Sequence, residues 1–335
     1  MKVALLFNEK PAHAEADLPD DTYEEYDEPA TVCHIAAALR RLDVTVEPVP
    51  ADRRLPSRLE EGRFDFAFNI AEGPIALPDR ARRCREALPA AVCELLGVPF
   101  TGSDVLTLAL TLDKALARRV VSPEVPVAPG VLLEDEPWDD LFSGLRFPAI
   151  VKPNDEGSSK GIHSDSLAVD SAAAKAVALR LRESYRCPLL MEEFLPGAEV
   201  TVALAGNPPN VRLLGMMEIA PASDGGPFVY SLEVKRDFRR RVAYHVPPRL
   251  NAPLIATVER YAREAYRLLG CRDIARMDFR LNASGQPCFI ECNPLPGLNP
   301  ETSDIVILTA GAIPYDRLVQ GILLDALRRT GVRVS

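Results

Sequence analysis

The stretch Ile274–Pro300, IARMDFRLNASGQPCFIECNPLPGLNP, decides how the chain is read. Two strand-like runs flank the turn signal NASGQ. With the turn centred on Ser284–Gly285, Asp278 falls opposite Glu291 and Arg276 opposite Asn293. Met277 then meets Cys292, Phe279 meets Ile290, and Leu281 meets Cys288. This register sorts side chains by chemistry. Met277, Phe279, Leu281, Cys288, Ile290 and Cys292 share an apolar face, while Arg276, Asp278, Glu291 and Asn293 share a polar one. A one-residue slip would mix the faces, so the pattern specifies the pairing.

Directly opposed carboxylates repel across a strand pair. A divalent cation removes that cost, and oxygen-only ligands suit Mg²⁺ or Mn²⁺. With Asn293 adding a neutral oxygen, one bridging carboxylate and two outer oxygens can hold two cations about 3.5–4 Å apart. Taken alone, the same residues also fit a solvated sheet face.

Working outward, FPAIVKPNDEGSSKG ends an apolar strand in Lys152, which on burial must meet an anion. Gly157, Ser158, Ser159 and Gly161 follow, and small residues let backbone N–H groups close over phosphates. Such a loop is also an ordinary turn, and the P-loop spacing is absent. In LLMEEFLPGAEVTVAL, two acids and a Pro-Gly turn follow an apolar strand. An adenine held between units would find apolar contacts and backbone hydrogen bonds there, with Glu199 placed for the ribose hydroxyls. Lys114 in LTLDKALARRV reads by itself as a surface lysine. The run Lys235, Arg236, Arg239, Arg240 and Arg241 reads either as a solvated face or as a wall for an anionic ligand.

The first hundred residues alternate strand and helix patterns. Lys2–Phe7, Val44–Val49 and Phe64–Ile70 are predicted strands, and Pro29–Leu42 and Arg85–Gly97 predicted helices. That rhythm implies a parallel sheet with helices on both faces. The segment Glu9–Glu28 is acidic and aperiodic, either a mobile loop over a site or a disordered insert. Ser103 is the expected cap of a helix running to about Val120. A second unit follows, with strand Phe147–Pro153, helix Ser171–Arg186 and strand Pro188–Phe194. A third has strands near Glu199–Leu204, Val211–Ile219 and Val242–Val246, a helix from about Asn251 to Leu269, the hairpin, and a helical tail that Pro314 can begin.

A chain of 335 residues, 47% hydrophobic and 26% charged, accommodates two or three compact units. The formal net charge of −9 argues against nucleic acid or anionic membrane as the main partner. The apolar run at the start is too short for a signal peptide, and no segment reaches a spanning length, so a cytoplasmic location is expected. Seven cysteines without a CxxC pair and four scattered histidines argue for buried, reduced thiols rather than zinc.

The ordered set LTLDK, VKPNDEGSSKG, MEEFLPGAEVTV, RMDF and FIECNPLPG resembles the D-alanine–D-alanine ligases of the ATP-grasp superfamily, over roughly Leu95–Thr302. The resemblance implies an α/β (α+β) chain with the ATP-grasp fold: an N-terminal parallel α/β domain (residues 1–103), a central lid-bearing α+β domain (104–194) and a C-terminal antiparallel-sheet α+β domain (195–335). It implies ATP and two Mg²⁺ ions, with Asp278, Glu291 and Asn293 as metal ligands. Lys114 and Lys152 would bind phosphates, and Ser158 and Ser159 would lie in the lid above them. Glu192 and the backbone near Glu193 and Leu195 would hold adenine, Glu199 the ribose, and Lys235 the phosphate or adenine side. Arg276 and the Gly297 N–H would stabilise an oxyanion, and Thr302 or Ser303 would face the second substrate's carboxylate. The implied partners are small molecules, an amino acid or other carboxylate plus an amine, with a homodimer as the family expectation.

Departures from the family pattern concern the substrates. GGxSxEREVS is replaced by FNEKPAHAEAD, Arg236 stands where a tyrosine is usual, and NPLPGLNP replaces NTxPGxTxxS. DEPATV and FNIAEG resemble the ligase-like members more than the cell-wall enzymes. Arg85 and Glu86 either line the site or belong to a helix face. The expected activity is therefore ATP-dependent amide ligation through an acyl phosphate, on substrates other than two D-alanines. A small-molecule kinase and a non-catalytic nucleotide-binding module are the rival classes.

Overall fold

The computed structural model describes residues 1–11, 18–75, 83–223 and 225–333. The first unit runs β1 (Lys2–Phe7), α1 (Pro29–Arg40), β2 (Thr45–Pro50), α2 (Leu55–Gly62), β3 (Phe66–Asn69) and α3 (Ala87–Leu96). Its three strands are parallel, with β1 central. Val3, Leu5 and Phe7 face the core containing α1, and Ala4 and Leu6 face that of α2 and α3. A strand covered on both sides must be apolar throughout, as VALLF is. Of the segment Glu9–Glu28, residues 12–17 lie outside the described residues. Residues 18–28 form successive turns that fold back beside the central unit.

α4 (Val105–Leu112) and α5 (Lys114–Val121) replace the single helix expected from Ser103. Asp104, not Ser103, caps α4 by accepting from the Thr107 N–H at 3.0 Å. Asp113 then breaks the run and caps α5, accepting from the Leu116 N–H at 3.0 Å. Aspartate competes well for such free N–H groups, and Asn154 Nδ2 and Arg83 also bind Asp113. Ser103 Oγ instead accepts from the Arg272 N–H. The break sets Lys114 at the first position of α5, facing the central unit.

That unit comprises β4 (Gly130–Leu133), α6 (Asp139–Phe142), β5 (Ala149–Pro153), β6 (Leu167–Ala168), α7 (Ser171–Tyr185) and β7 (Leu189–Glu193). The sheet is antiparallel in the order β4-β7-β5-β6, and α7 covers one face. β4 has no counterpart in the sequence reading, because four residues carry too little alternation to declare a strand.

The last sheet, β10-β9-β8-β11-β12, is antiparallel. It is built from β8 (Glu199–Ala205), β9 (Arg212–Pro221), β10 (Val242–His245), β11 (Ile274–Leu281) and β12 (Pro287–Asn293). Between β9 and β10 lie α8 (Leu232–Arg236) and α9 (Phe238–Arg241), and α10 (Ala252–Leu268) follows β10. α10 packs Val258, Ala262 and Tyr266 against Val200, Val202, Met277 and Phe279. Each such large apolar side chain contributes about 1.5–3 kcal/mol by burial. The period-two alternation sends Glu199, Thr201, Arg276, Asp278 and Arg280 to the opposite face. α11 (Asp304–Thr309) and α12 (Tyr315–Thr330) end the chain, and α12 returns to pack on α1. Among the described residues no helix is long and apolar enough to cross a membrane.

The hairpin register is as expected near the carboxylates and differs beyond them. Arg276–Asn293, Met277–Cys292 and Asp278–Glu291 are paired, but Phe279 meets Phe289, Arg280 meets Cys288 and Leu281 meets Pro287. The turn is a three-residue loop, closed by the Asn282 N–H on the Gln286 carbonyl and ending in left-handed Gly285 (φ +78°). It is centred on Ser284, half a position before the centre of a two-residue turn on Ser284–Gly285, so the distal pairs shift by one residue. A β-bulge at Ile290 restores the phase. Phe289 therefore takes the core position, edge-on to Phe279 at 6.0 Å, and Ile290 turns to join Ala128, Leu195 and Cys288.

Candidate active site

The cleft between the units has two connected compartments. One is lined by Lys152, Glu199, Leu195, Ile290, Glu192 and Arg280, and carries apolar walls from Ala128, Ile150 and Phe194. The other, a cavity of about 430 Å³, reaches from Glu291 and Gly297 to the first unit. That volume suits a small-molecule substrate. Lys114, Ser158, Tyr230, Lys235, Arg276, Glu291 and Asp304 line both.

At the junction the Arg276 guanidinium lies 2.8 Å from Asp278 and 3.5 Å from Glu291. Thr201 donates to Asp278 at 2.9 Å, and Lys114 Nζ stands 3.6 Å from Glu291. Burial, reinforced by Glu291 across the strand, raises the Asp278 pKa despite Arg276. Burial acts on Glu291 too, but Lys114, Arg276 and Lys152 outweigh it and hold that carboxyl below its usual range. Asn293 Oδ1 accepts from the Leu295 N–H at 2.9 Å, which orients the amide and leaves its oxygen a further lone pair.

Lys152 is buried at the end of β5 and ion-pairs with Glu192. Arg118 of α5 also pairs with Glu192. Burial alone would raise the Glu192 pKa, yet the two cations hold it low. Glu192, expected at adenine, thus spends its carboxylate on Lys152 and Arg118. Glu193 is tied to Arg146 at 2.7 Å, and Leu195 is buried beside Ile290. Glu199 pairs with Arg280 at 3.1 Å, and burial, only partly offset by that pair, pushes it up to about 7. Arg280 lies over the Phe194 ring at 4.7 Å.

The loop after β5 folds as a lid. Ser158 and Ser159 both adopt left-handed φ, +50° and +60°, conformations costly enough to need outside support. Support comes from two sides. Ser159 Oγ donates to the Tyr230 carbonyl at 3.1 Å, while Lys160 pairs with Glu25 and Glu156. Asp21 accepts from the Gly161 N–H at 2.9 Å and from Tyr185 at 2.5 Å. A Cβ at Gly157 would run into the Glu25 carboxylate, which would then have to shift from Arg85 and Lys160. Residues 18–28 thus wall the cleft and strap the lid.

Of the basic run, Lys235 faces both compartments. Arg236 is instead paired with Asp20 and Glu24, and Arg239 with Glu301. Of the run, Lys235 and Arg236 reach the cleft, and the acids beside Arg236 and Arg239 take up part of its charge. Gly297 and exposed Thr302 line the second compartment. Ser303 does too, but its hydroxyl accepts from the Asn299 N–H at 2.9 Å, which closes the loop. Arg85 is buried rather than on a helix face, and with Lys160 it serves Glu25, Glu72, Glu86 and Glu156.

Arg118, Arg280, Tyr230, Tyr244 and Asp304 were not singled out by sequence reasoning. Arg280 was accessible to it: the alternation that groups Arg276 with Asp278 continues to 280. The others depend on contacts between elements distant in the sequence, which no local pattern encodes.

A family model described as D-ala D-ala ligase C-terminus matches residues 129–324. A D-alanine–D-alanine ligase of Synechococcus is 30% identical, covering 89% of this chain and 88% of its own length. That of Cupriavidus pinatubonensis is 34% identical over 87% and 85%. An uncharacterised protein of Sinorhizobium fredii is 31% identical over 79% and 75%. Among solved structures, the ATP complex of a Bacillus anthracis D-alanine–D-alanine ligase superposes with a TM-score of 0.72 at 20% identity, covering 99% and 98%. The VanG D-Ala:D-Ser ligase of Enterococcus faecalis gives 0.70 at 18%, covering 97% and 99%. The matched region contains the lid, the paired carboxylates and Arg276, and the chain belongs to the D-alanine–D-alanine ligase family of ATP-dependent C–N ligases, with the ATP-grasp fold.

Proposed function

We propose that this ligase activates a carboxylate as an acyl phosphate with ATP and joins it to an amine, on substrates other than two D-alanines. The observation that carries the reading is Asp278 and Glu291 directly opposed at the junction, with Arg276 and Lys114 against them. Purine would lie against Leu195, Ile290 and the backbone near Glu193, with Glu199 toward the ribose. Lys114 and Lys152 would offset charge on the phosphates, and Lys235 would approach from α8. The carboxylate of Glu192 holds Lys152 in place.

The donor set of Asp278, Glu291 and Asn293 fits Mg²⁺ or Mn²⁺, being all oxygen, with two carboxylates whose mutual repulsion a cation relieves. Bound there, the ions would neutralise phosphoryl oxygens. Arg276 and the Gly297 N–H would receive the oxyanion formed when the amine adds to the acyl carbon. Ser158 and Ser159, with the strap of residues 18–28, would keep water from the acyl phosphate.

The first-unit wall of the second compartment, acid-rich with Glu24, Glu25, Asp27, Glu28, Glu72 and Glu86 beside Lys10, Tyr26 and Thr31, supports substrates other than two D-alanines. The test is ADP release with Mg²⁺–ATP and paired panels of amino acids and amines, with products weighed by mass spectrometry. A product containing both substrates and no phosphate supports ligation. A phosphorylated product would replace it with a kinase, and nucleotide binding without any turnover would replace it with a regulatory module.

A further inference from the structure

Asp304 is the first residue of α11, beyond the loop that carries Gly297, and it is buried yet lines both compartments. One oxygen accepts from Arg276 at 3.3 Å. That guanidinium is already shared with Asp278 at 2.8 Å and Glu291 at 3.5 Å. The other oxygen, Oδ1, makes no well-formed hydrogen bond among the described residues, and the Tyr244 hydroxyl is the donor that approaches this carboxylate. A buried carboxylate served by one shared guanidinium and a neighbouring hydroxyl has capacity left for a further cationic or donor group.

The neighbours of Asp304 have matching chemistry. Tyr230 and Tyr244 share a hydroxyl hydrogen bond of 2.9 Å, and the Phe238 and Tyr244 rings lie 6.0 Å apart. All three line the cavity beside Asp304. Aromatic rings next to a carboxylate are the surroundings that favour ammonium and guanidinium groups. Carboxylates also outnumber cations on the walls of this compartment. Asp304 brings negative charge to the position next to Ser303, one of the two residues expected to face a substrate carboxylate.

We infer that the amine substrate of the proposed ligation carries a second positive charge and no free carboxylate, and that Asp304 receives that charge. The inference rests on the ligase reading for the word substrate. An acceptor approaching an acyl carbon held between Arg276 and Gly297 would pass Thr302 and Asp304. Its second cation would lie against Asp304 and the tyrosines. A zwitterionic amino acid would instead bring its carboxylate against Asp304.

The test uses the full chain with Mg²⁺–ATP, the amino acids of both hands as carboxylate donors, and alanine, alaninamide and 1,4-diaminobutane as acceptors. Diaminobutane is expected to exceed alanine about tenfold in kcat/KM, the size of one charge contact. D304N should raise the diaminobutane KM about tenfold while kcat stays within about threefold, and D304E should restore part of the loss. Equal or better use of alanine overturns the inference and leaves ligation standing. A fall in kcat with every acceptor alike also overturns it, reducing Asp304 to a positioning residue for Arg276. Calorimetry of diaminobutane on the ADP-loaded protein separates the two readings. Binding that D304N abolishes, without turnover of any pair, keeps the charge preference and sinks ligation, and absence of both binding and turnover sinks both.

Discussion

In the compartment proposed for the nucleotide two cations, Lys152 and Arg118, converge on one carboxylate, Glu192. Across the cleft the proportion reverses, with Arg85 and Lys160 facing Glu25, Glu72, Glu86 and Glu156. Both groups are largely buried, so neither imbalance is dispersed by water. On the proposed reading the first leaves positive charge for a triphosphate. In the second, burial raises Glu72 and Glu86, so protons as well as Arg85 and Lys160 offset the excess of acids. The difference teaches that one compartment balances its buried charge with cations and the other in part with protons.

The sharpest way to break the comparison is to remove the single acid of the first group. Glu192→Ala leaves Lys152 and Arg118 buried without their counter-ion and should destabilise the fold by about 3–5 kcal/mol, measured by denaturant unfolding. A loss below about 1 kcal/mol would mean that water reaches the pair. At the junction, Glu291→Gln should lower kcat for ADP release by about 10²–10³-fold with Tm little changed, since it removes charge from the carboxylate pair at constant shape. Retained activity would exclude Glu291 from the proposed metal set.

The acid-rich group should reveal itself through pH. Burial and the neighbouring Glu25 raise Glu86 to about 7, and burial with Glu86 and Glu25 raises Glu72 well above its usual value. Groups with raised folded-state values stabilise below their unfolded pKa, and that contribution is lost as pH rises. Tm without ligand should therefore fall between about pH 4.5 and 7, and Glu86→Gln should flatten the fall, by about 3 kcal/mol at most. An unchanged slope would show that Arg85 already balances Glu86. The smallest effect is expected where the two regions touch. Gly157→Ala forces a methyl group against Glu25 and should raise KM for substrate about tenfold by loosening the strap from the lid.

The carboxylate pair was legible in the sequence because it resides in one hairpin, and the family because its motifs follow in order from LTLDK to FIECNPLPG. A period of two and a turn signal suffice to oppose Asp278 and Glu291. The three-residue turn and the bulge at Ile290 escaped, since each shifts the phase by one and the second hides the first. Asp113 as a helix breaker was legible only weakly, because LTLDKALARR is otherwise good helix sequence. The partners of Glu192 were illegible. Lys152, Arg118 and Glu192 come from separate elements that only the assembled cleft brings together. The strap of residues 18–28 was foreseen as one of two readings, and its bonds to Gly161, Lys160 and Arg236 decide for a loop that covers the site.

The extra residue at position 290 has a consequence for how this hairpin can vary. It separates a catalytic half of β12, in step with Arg276 and Asp278, from a distal half that follows the turn. Loop length beyond the bulge can drift by one residue and be taken up there, much as a slack link in a chain absorbs a miscut, without rotating Glu291 out of the cleft. The carboxylates can thus stay opposed when the tip changes length, and the side chain at 290 is turned to the compartment wall beside Leu195 and Ala128.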